Sequence, residues 1–263
     1  PRGHMADAPP RARYAVMGNP IAHSRSPEIH QRFAEQTGEQ LAYEKILVPT
    51  DGFAEAVAEF EASGGLGLNV TVPFKGDAWA LVDAMSERAE YARAVNTILI
   101  HDDGLYGDNT DGIGLVRDLR DNHGVALAGA RVLVVGAGGA ARGALPSLLD
   151  ERPATLHIAN RTPAKAVKLA ADLAELGLVT GGSCEALAGQ AFDVVINATS
   201  AGLAGELPSL PDDLLTPGAA AYDMVYASEP TAFVRWAREH GAALTADGLG
   251  MLVEQAAESF WLW

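Results

Sequence analysis

Short apolar runs of strand length alternate with amphipathic segments of helix length along most of the chain. In the first half, apolar runs at residues 13–18, 42–49 and 65–73 flank segments with helical spacing at 27–36 and 51–62. Ser26 before Pro27 predicts the start of the first helix, because Ser can cap free amides and Pro fits the first helical turn. Strands that alternate with helices predict an α/β fold with parallel strands.

The same alternation continues to the end of the chain. A helix at 76–85, a strand at 94–101 and the loop G-D-N-T-D-G at 107–112 complete a first unit. The second unit carries further predicted strands and helices, and a final helix starts near Met251. We predict an N-terminal α/β substrate domain with a mostly parallel sheet, a Rossmann-type domain, and a cleft between them. The predicted bounds are 5–110 plus 241–263 for the first domain and 111–240 for the second.

The stretch N-V-T-V-P-F-K, residues 69–75, combines an apolar strand with polar positions. Asn69 and Thr71 lie two residues apart, so both side chains leave one face of the strand, while Val70 and Val72 are predicted to face the core. Lys75 follows, in a chain with 4 lysines against 15 arginines. A solvated lysine at a strand end is the alternative.

A glycine-rich loop interrupts the apolar run A-R-V-L-V-V and opens a helix. Such a strand, turn and helix can hold a pyrophosphate, because the turn has free amides and no bulky side chains. The predicted loop residues are Gly136, Ala137, Gly138, Gly139 and Ala140.

The segment A-N-R-T-P-A-K follows the next predicted strand and bears on the choice of dinucleotide. An NAD site usually places a carboxylate there for the ribose hydroxyl, whereas NADP requires cations and donors for its 2′-phosphate. Asn160, Arg161, Thr162 and Lys165 include no carboxylate, so NADP is favoured. A capped helix with surface cations is the alternative.

Composition excludes several classes of function. The length of 263 residues favours two domains. A net charge of -15 disfavours nucleic-acid and anionic-membrane partners. The single cysteine, Cys184, excludes an intramolecular disulfide and favours a reducing compartment. No apolar run has the length of a membrane span, so we expect a cytoplasmic protein.

The first residues, 1–4, resemble a remnant of an expression tag, with Met5 as the expected native start. We therefore leave them out of the fold prediction.

Several motifs occur together, in a fixed order, from about residue 13 to the end. They are G-N-P-I-A-H-S-R-S-P, N-V-T-V-P-F-K, A-V-N-T, G-D-N-T-D-G, G-A-G-G-A, N-R-T, N-A-T-S, Y-D-M-V-Y and D-G-L-G-M-L-V-E-Q-A-A. In this combination the chain resembles the shikimate dehydrogenase family. The resemblance implies an oxidoreductase of chorismate biosynthesis that uses NADPH to reduce 3-dehydroshikimate to shikimate reversibly.

The resemblance also implies roles for individual residues. Lys75 would be the general acid in reduction and the base in the reverse direction, with Asp111 orienting it. A lysine suits this role better than an arginine, because an ammonium can exchange its proton near neutral pH. The implied substrate-binding residues are Ser24, Ser26, Asn69, Thr71, Lys75, Asn96, Asp111, Tyr226 and Gln255. Met224 and Gly248 would lie near the nicotinamide.

Asn96 is predicted inside an apolar strand, where an unpartnered amide would cost roughly 1–3 kcal/mol. A ligand or a loop must therefore satisfy it, and the residues alone leave that choice open. For Asp108 and Asp111, a turn-capping role is the alternative.

The alternatives for the whole chain are a quinate/shikimate or aminoshikimate dehydrogenase, and a catalytically silent nucleotide-binding regulator. We expect a small-molecule substrate, no metal, and a monomer or homodimer. The family continues past the helix that carries Gln255, whereas this chain ends at Trp263. We therefore expect the F-W-L-W segment to be shielded from solvent, with a truncation as one explanation.

Overall fold

Two six-stranded sheets with packed helices form the molecule in the computed structural model, which describes residues 11–199 and 207–263. The predicted tag remnant, residues 1–4, and Ser200 of the N-A-T-S motif lie outside the described residues. The strands are β1 (Ala12–Gly18), β2 (Leu41–Leu47), β3 (Gly65–Val70), β4 (Ala84–Met85), β5 (Thr97–His101), β6 (Gly104–Asp108), β7 (Arg131–Val135), β8 (Thr155–Asn160), β9 (Val179–Ser183), β10 (Phe192–Asn197), β11 (Leu215–Asp223) and β12 (Leu244–Ala246). The helices are α1 (Ser26–Thr37), α2 (Phe53–Ala62), α3 (Lys75–Leu81), α4 (Glu87–Ala92), α5 (Asp111–Arg117), α6 (Gly139–Asp150), α7 (Pro163–Asp172), α8 (Ala232–Glu239) and α9 (Leu249–Leu262). The predicted α/β fold is confirmed.

The first sheet has the strand order β2-β1-β3-β5-β6-β4. The β1–β2, β1–β3 and β4–β6 pairs are parallel, whereas β5 runs antiparallel to both β3 and β6. The antiparallel strands arise because β5 and β6 are joined by a tight turn at Asp102–Asp103, which leaves no room for a crossover helix. The sheet is therefore mixed.

The second sheet has the order β12-β11-β10-β7-β8-β9, and every pair in it is parallel. Strand β7 is covered on both faces. Val132 and Val134 enter one buried cluster, and Leu133 and Val135 enter another. The chain moves outward from β7 to β8 and β9 and then returns to β10 on the other side. The neighbouring ends of β7 and β10 therefore form the switch point where doubly wound folds bind ligands.

Helices α5 and α9 lie where the two halves of the molecule meet. Helix α5 packs against α6 and α9, and α9 also packs against α1. Helices α5 and α9 pack so closely that a Cβ at Gly114 would lie 2.8 Å from the Cβ of Gln255. The segment that follows residue 241 supplies β12 to the second sheet and α9 to the first half. The predicted domain bounds stay a prediction.

Three local predictions need correction, for the end of β3, for Asn96 and for the helix predicted at 76–85. Strand β3 ends at Val70, so the alternation stops there, and Val72, predicted to face the core, is 64% exposed. Asn96 lies one residue before β5 and not inside it. The predicted helix at 76–85 is the shorter α3, because the chain continues into the short strand β4.

The aromatic end of α9 is only partly shielded. Trp263 stacks on Tyr14 with ring centroids 4.6 Å apart, and its indole N–H donates to the Ile98 carbonyl at 3.2 Å. Trp261, in contrast, is 75% exposed, so the expectation of a shielded F-W-L-W segment is wrong for this residue. Within the described ranges, no helix combines the length and the apolar character needed to cross a membrane.

Candidate active site

A cleft of about 340 Å³ opens between the two sheets. All of the predicted substrate-binding residues line it: Ser24, Ser26, Asn69, Thr71, Lys75, Asn96, Asp111, Tyr226 and Gln255. The structure thus brings together side chains from the α1 start, the β3 end, the start of α5 and helix α9. Of the predicted cofactor residues, Met224 and Gly248 also line the cleft.

Lys75 and Asp111 form an ion pair in this cleft. The Lys75 Nζ donates to Asp111 Oδ2 at 2.8 Å, and the side chains are 34% and 20% exposed. Lys75 is the first residue of α3 and Asp111 the first of α5. The backbone N–H of Asp111 donates to the Asn109 side-chain oxygen at 3.0 Å, which fixes the start of that helix. The solvated-lysine alternative is therefore wrong, because Lys75 has a carboxylate partner that faces the cleft.

Asn96 connects the loop before α5 with helix α9. Its Nδ2 donates to Thr110 Oγ1 at 2.8 Å, Asp111 Oδ1 at 3.0 Å and Gln255 Oε1 at 3.3 Å. Its Oδ1 accepts from Thr97 Oγ1 and the Thr110 N–H, each at 2.9 Å. Protein groups therefore satisfy this buried amide, and they include the second oxygen of the carboxylate that holds Lys75.

Asn69 forms the neighbouring part of the polar wall. Its Oδ1 accepts from the Tyr43 hydroxyl at 2.6 Å, and its Nδ2 lies 3.2 Å from Ser259 Oγ and 3.5 Å from the Asn96 carbonyl. Only 6% of the residue is exposed. Asn69 therefore exposes only a small part of an amide to the cleft, and protein hydrogen bonds fix the position of that amide.

The start of α1 supplies the two serines. The predicted cap at Ser26 is wrong: the helix begins at Ser26, Arg25 holds the cap position, and no side chain caps the helix. The Ser26 N–H donates instead to Ser24 Oγ at 3.3 Å. The Ser26 side chain interacts with the Tyr43 hydroxyl and lines the cleft at a helix end that favours anions.

The carboxyl ends of β10 and β11 shape the wall that holds Met224 and Gly248. Asp223 is fully buried and accepts hydrogen bonds from Thr231 Oγ1 at 2.7 Å and the Val225 N–H at 3.1 Å. Burial raises the pKa of this carboxyl. A Cβ at Gly248 would lie 2.0 Å from the Met224 carbonyl oxygen, so only glycine fits there. No role for Asp223 was predicted from the sequence, although a carboxylate that ends an apolar strand is a usable signal.

The glycine loop begins directly after β7. Gly136 has a φ of +114°, which favours glycine, and its N–H donates to the Ala159 carbonyl at 2.8 Å. A Cβ at Gly138 or Gly139 would meet no atom within 4 Å, so this loop has open space beside it. Ala137 and Ala140 complete the loop, and α6 begins at Gly139.

The N-R-T segment lies next to this loop, because β7 and β8 are paired with Val135 opposite Ala159. Asn160 ends β8, and its Nδ2 donates to the Thr162 carbonyl at 3.0 Å. Arg161 and Lys165 are exposed, and neither pairs with a carboxylate of the described residues. Open glycines at a helix start beside free cations fit a dinucleotide with an additional phosphate.

Asp108, the other acid of G-D-N-T-D-G, does not line the cleft. It is buried and accepts from Arg88 Nε at 2.7 Å and Arg88 Nη2 at 2.9 Å. Arg88 also contacts Glu258 of α9, which pairs with Arg117 of α5. This charge network fixes α9 against the first half of the molecule.

Comparisons with known proteins agree along the length of the chain. The sequence matches the family described as "Shikimate dehydrogenase substrate binding domain" over residues 16–98. It matches the family described as "Shikimate / quinate 5-dehydrogenase" over residues 119–204. A relative from Alkalilimnicola ehrlichii, named shikimate dehydrogenase (NADP(+)), is 65% identical, and the match covers 95% of this chain and 93% of the relative.

Two solved structures share the fold over almost the whole chain. The crystal structure of an Ael1 enzyme from Pseudomonas putida has a TM-score of 0.91 at 48% identity and covers 96% of this chain and 93% of its own. Shikimate 5-dehydrogenase from Thermus thermophilus, solved in complex with NADP(H) and shikimate, has a TM-score of 0.83 at 34% identity, with 96% and 93% covered.

The fold and the cleft define a two-lobed α/β protein whose second lobe is of the Rossmann type. Within that class, the chain belongs to the shikimate dehydrogenase family, as its motifs predicted.

Proposed function

We propose that this protein is an NADP-dependent oxidoreductase that interconverts shikimate and 3-dehydroshikimate. The observation that carries the proposal is the Lys75–Asp111 pair at 2.8 Å, which faces a cleft whose polar wall includes Asn69, Asn96 and Gln255. The relatives named for this activity support both the substrate and the cofactor.

Lys75 exchanges the proton of the reaction. When NADPH is bound, it supplies the hydride that goes to the carbonyl carbon. Lys75 Nζ gives its proton to the carbonyl oxygen as negative charge develops there, and in the oxidation direction it takes the proton from the hydroxyl. Asp111 holds the ammonium in place through Oδ2, while Asn96 fixes the same carboxylate through Oδ1.

The substrate is a ring with one carboxylate and several hydroxyls, so it needs an anion site and a polar wall. Ser24 and Ser26, at the start of α1, receive the carboxylate, since donors at a helix N-terminus favour an anion. Asn69, Thr71, Asn96 and Gln255 receive the hydroxyls. Tyr226, 38% exposed, lines the cleft on the side of the other lobe.

The glycine loop holds the cofactor pyrophosphate, and the N-R-T segment holds the 2′-phosphate. The loop from Gly136 to Ala140 has open space at Gly138 and Gly139 and offers backbone amides at the start of α6. Asn160, Arg161, Thr162 and Lys165 provide cations and polar groups for the additional phosphate. Met224 and Gly248 line the cleft where the nicotinamide meets the substrate.

The test is the absorbance of the reduced nicotinamide with four pairs of reactants: shikimate or quinate, each with NADP⁺ or NAD⁺. We expect fast turnover with shikimate and NADP⁺ and much slower turnover with the other pairs. Faster turnover with quinate or NAD⁺ would favour a quinate/shikimate dehydrogenase instead. Nucleotide binding without turnover of any pair would favour the catalytically silent regulator.

We further propose a cytoplasmic location and a monomer or homodimer that acts on a small molecule. Size-exclusion chromatography with light scattering measures the oligomeric state directly.

A further inference from the structure

Tyr43 lies outside the cleft yet contacts one of its walls. Its hydroxyl donates to Asn69 Oδ1 at 2.6 Å, across the width of strand β1 from β2 to β3. Burial raises the pKa of this phenol, so the hydroxyl stays protonated and acts as a donor. Tyr43 is absent from the residues that line the cleft. It therefore acts on a ligand through the cleft residues beside its hydroxyl, which are Asn69 and Ser26.

The ring of Tyr43 is held as firmly as its hydroxyl. It stacks on His30 with the centroids 4.7 Å apart and the planes 7° apart. Trp263 at the end of α9 contacts His30 at 5.0 Å between centroids, so this aromatic group joins α1, β2 and α9. The direction of the hydroxyl is therefore set by three elements, and one of them, α1, begins at the cleft residue Ser26.

The two ends of the Asn69 amide are held differently. The oxygen accepts the short bond from Tyr43, while the nitrogen contacts Ser259 Oγ at 3.2 Å and the Asn96 carbonyl at 3.5 Å. A flipped amide would place its oxygen against the Asn96 carbonyl, which has no proton to donate. The Asn96 carbonyl and the Tyr43 hydroxyl therefore favour the same orientation, and the Tyr43 contact is the shorter of the two. In that orientation, the Asn69 N–H that makes only the long contact to the Asn96 carbonyl can donate to a ligand instead.

We propose that Tyr43 is a positioning residue that fixes Asn69 as a hydrogen-bond donor to a hydroxyl of the ring substrate. This inference rests on the proposed function, because it assumes that Asn69 contacts the substrate. The inference assigns the donor and acceptor of this contact. Asn69 donates an N–H, so it selects a ring whose substituent beside Asn69 can accept a hydrogen bond.

Tyr43→Phe tests the inference, because it removes the hydroxyl and keeps the stacked ring. One neutral hydrogen bond contributes about 1 kcal/mol, so we expect the KM for shikimate to rise roughly five- to tenfold. The kcat and the KM for NADP⁺ should change less than twofold, since Tyr43 contacts neither the Lys75–Asp111 pair nor the glycine loop.

Tyr14→Phe is the matched control: Tyr14 lies opposite Tyr43 on β1, and its hydroxyl makes no hydrogen bond to the described residues.

A double-mutant cycle with Asn69→Ala separates positioning from a general structural effect. In the Asn69→Ala background, Tyr43→Phe should leave the KM for shikimate unchanged, because there is no amide left to orient. The same rise in both backgrounds, or no rise in the wild-type background, would overturn the inference. Calorimetric binding of shikimate to each variant gives the same comparison without relying on turnover.

The proposed function and this inference fail in different ways. A wild-type protein that does not oxidise shikimate contradicts the function. An active wild-type protein whose Tyr43→Phe variant matches the Tyr14→Phe control contradicts only the role of Tyr43.

Discussion

Lys75 and Asp111 are 36 residues apart in sequence, and their contact depends on where two helices begin. Each residue opens a helix directly after a strand or loop of the first sheet, so both side chains reach the same edge. The type of each residue could be recognised from its motif. The distance between them could not, because it depends on the packing of α5 against α6 and α9.

Arg161 is the residue on which the choice of dinucleotide depends. It is exposed beside the glycine loop and has no carboxylate partner among the described residues. A charge-assisted hydrogen bond contributes about 1.5–3 kcal/mol, so Arg161→Ala should raise the KM for NADP⁺ roughly ten- to a hundredfold. The KM for NAD⁺ should change little, as measured by the same absorbance assay.

Lys168→Ala is the control for Arg161, because it removes an exposed cation from the same region, further along α7. It should leave both KM values near the wild-type ones. Equal losses for NADP⁺ and NAD⁺ in Arg161→Ala would contradict a role in binding the 2′-phosphate.

His30 makes stability depend on pH. Its imidazole is fully buried, with Asn69 as a polar neighbour. The rings around it are those of Phe33, Tyr43, Phe260 and Trp263. Burial lowers its pKa from 6.5 to about 4. The folded protein therefore binds fewer protons than the unfolded chain between these two values, and stability falls as the pH decreases through that range.

The measurement for His30 is urea unfolding between pH 7 and pH 4. Since one pKa unit corresponds to about 1.4 kcal/mol, the wild-type protein should lose about 3 kcal/mol more than His30→Phe over this range. The variant keeps an aromatic ring in the cluster and cannot titrate. Parallel curves for the two proteins would show that His30 is not the cause.

At the scale of elements, the strands with long apolar runs were predictable, and the shortest elements were not. Strand β7 and the glycine loop follow from sequence, because Val132–Val135 are buried on both faces and the loop must turn into a helix. Strand β4 has two residues, which is too short to show a period. The sequence pattern also continued β3 to Pro73, although the sheet ends it at Val70, since pairing and not composition sets the end of a strand.

Gly114 tests the packing of α5 against α9. An alanine there would place its Cβ 2.8 Å from both the Cβ and the backbone nitrogen of Gln255, so one helix must shift. Overpacking of this kind costs roughly 1–3 kcal/mol, and Gly114→Ala should lower the unfolding free energy by that amount. Because Gln255 lines the cleft, the KM for shikimate should rise as well.

Gly76→Ala is the comparison, because a Cβ at this helical position meets no atom within 4 Å. Its stability should stay the same or rise by up to about 1 kcal/mol, as glycine is a poor helix former. If Gly114→Ala were as stable as Gly76→Ala, the close contact between α5 and α9 would be absent in solution.

At the scale of the whole molecule, the chemistry is divided between two lobes. Lys75, at the start of α3, lies in the lobe of the first sheet. The glycine loop, at the start of α6, lies in the lobe of the second sheet. Lys75→Ala should therefore lower kcat by a factor of roughly 10²–10⁴, the usual contribution of a general acid or base. NADP⁺ binding, measured by fluorescence titration, should persist with its wild-type affinity and serves as the internal control. An alanine variant that turns over shikimate normally would refute the role of Lys75.

The architecture as a whole was accessible from sequence, because repeated strand and helix units imply a sheet for each lobe. The polar network around Asn96 was not, since its partners Thr110, Asp111 and Gln255 come from separate parts of the chain. From the sequence alone, either a loop or a ligand could satisfy this amide. The structure shows that a loop and a helix do so.

Helix α9 also has a consequence for the order in which the protein forms during synthesis. The helix is the last described element to leave the ribosome, yet Ser259 and Gln255 complete the hydrogen bonds of Asn69 in β3 and of Asn96 just before β5. The lobe that is translated first is therefore finished last, whereas strands β7 to β11 of the Rossmann lobe emerge together and can pair as they appear. A nascent chain that ends before α9 would have its nucleotide loop in place while Asn69 and Asn96 still lacked the hydrogen bonds to Ser259 and Gln255.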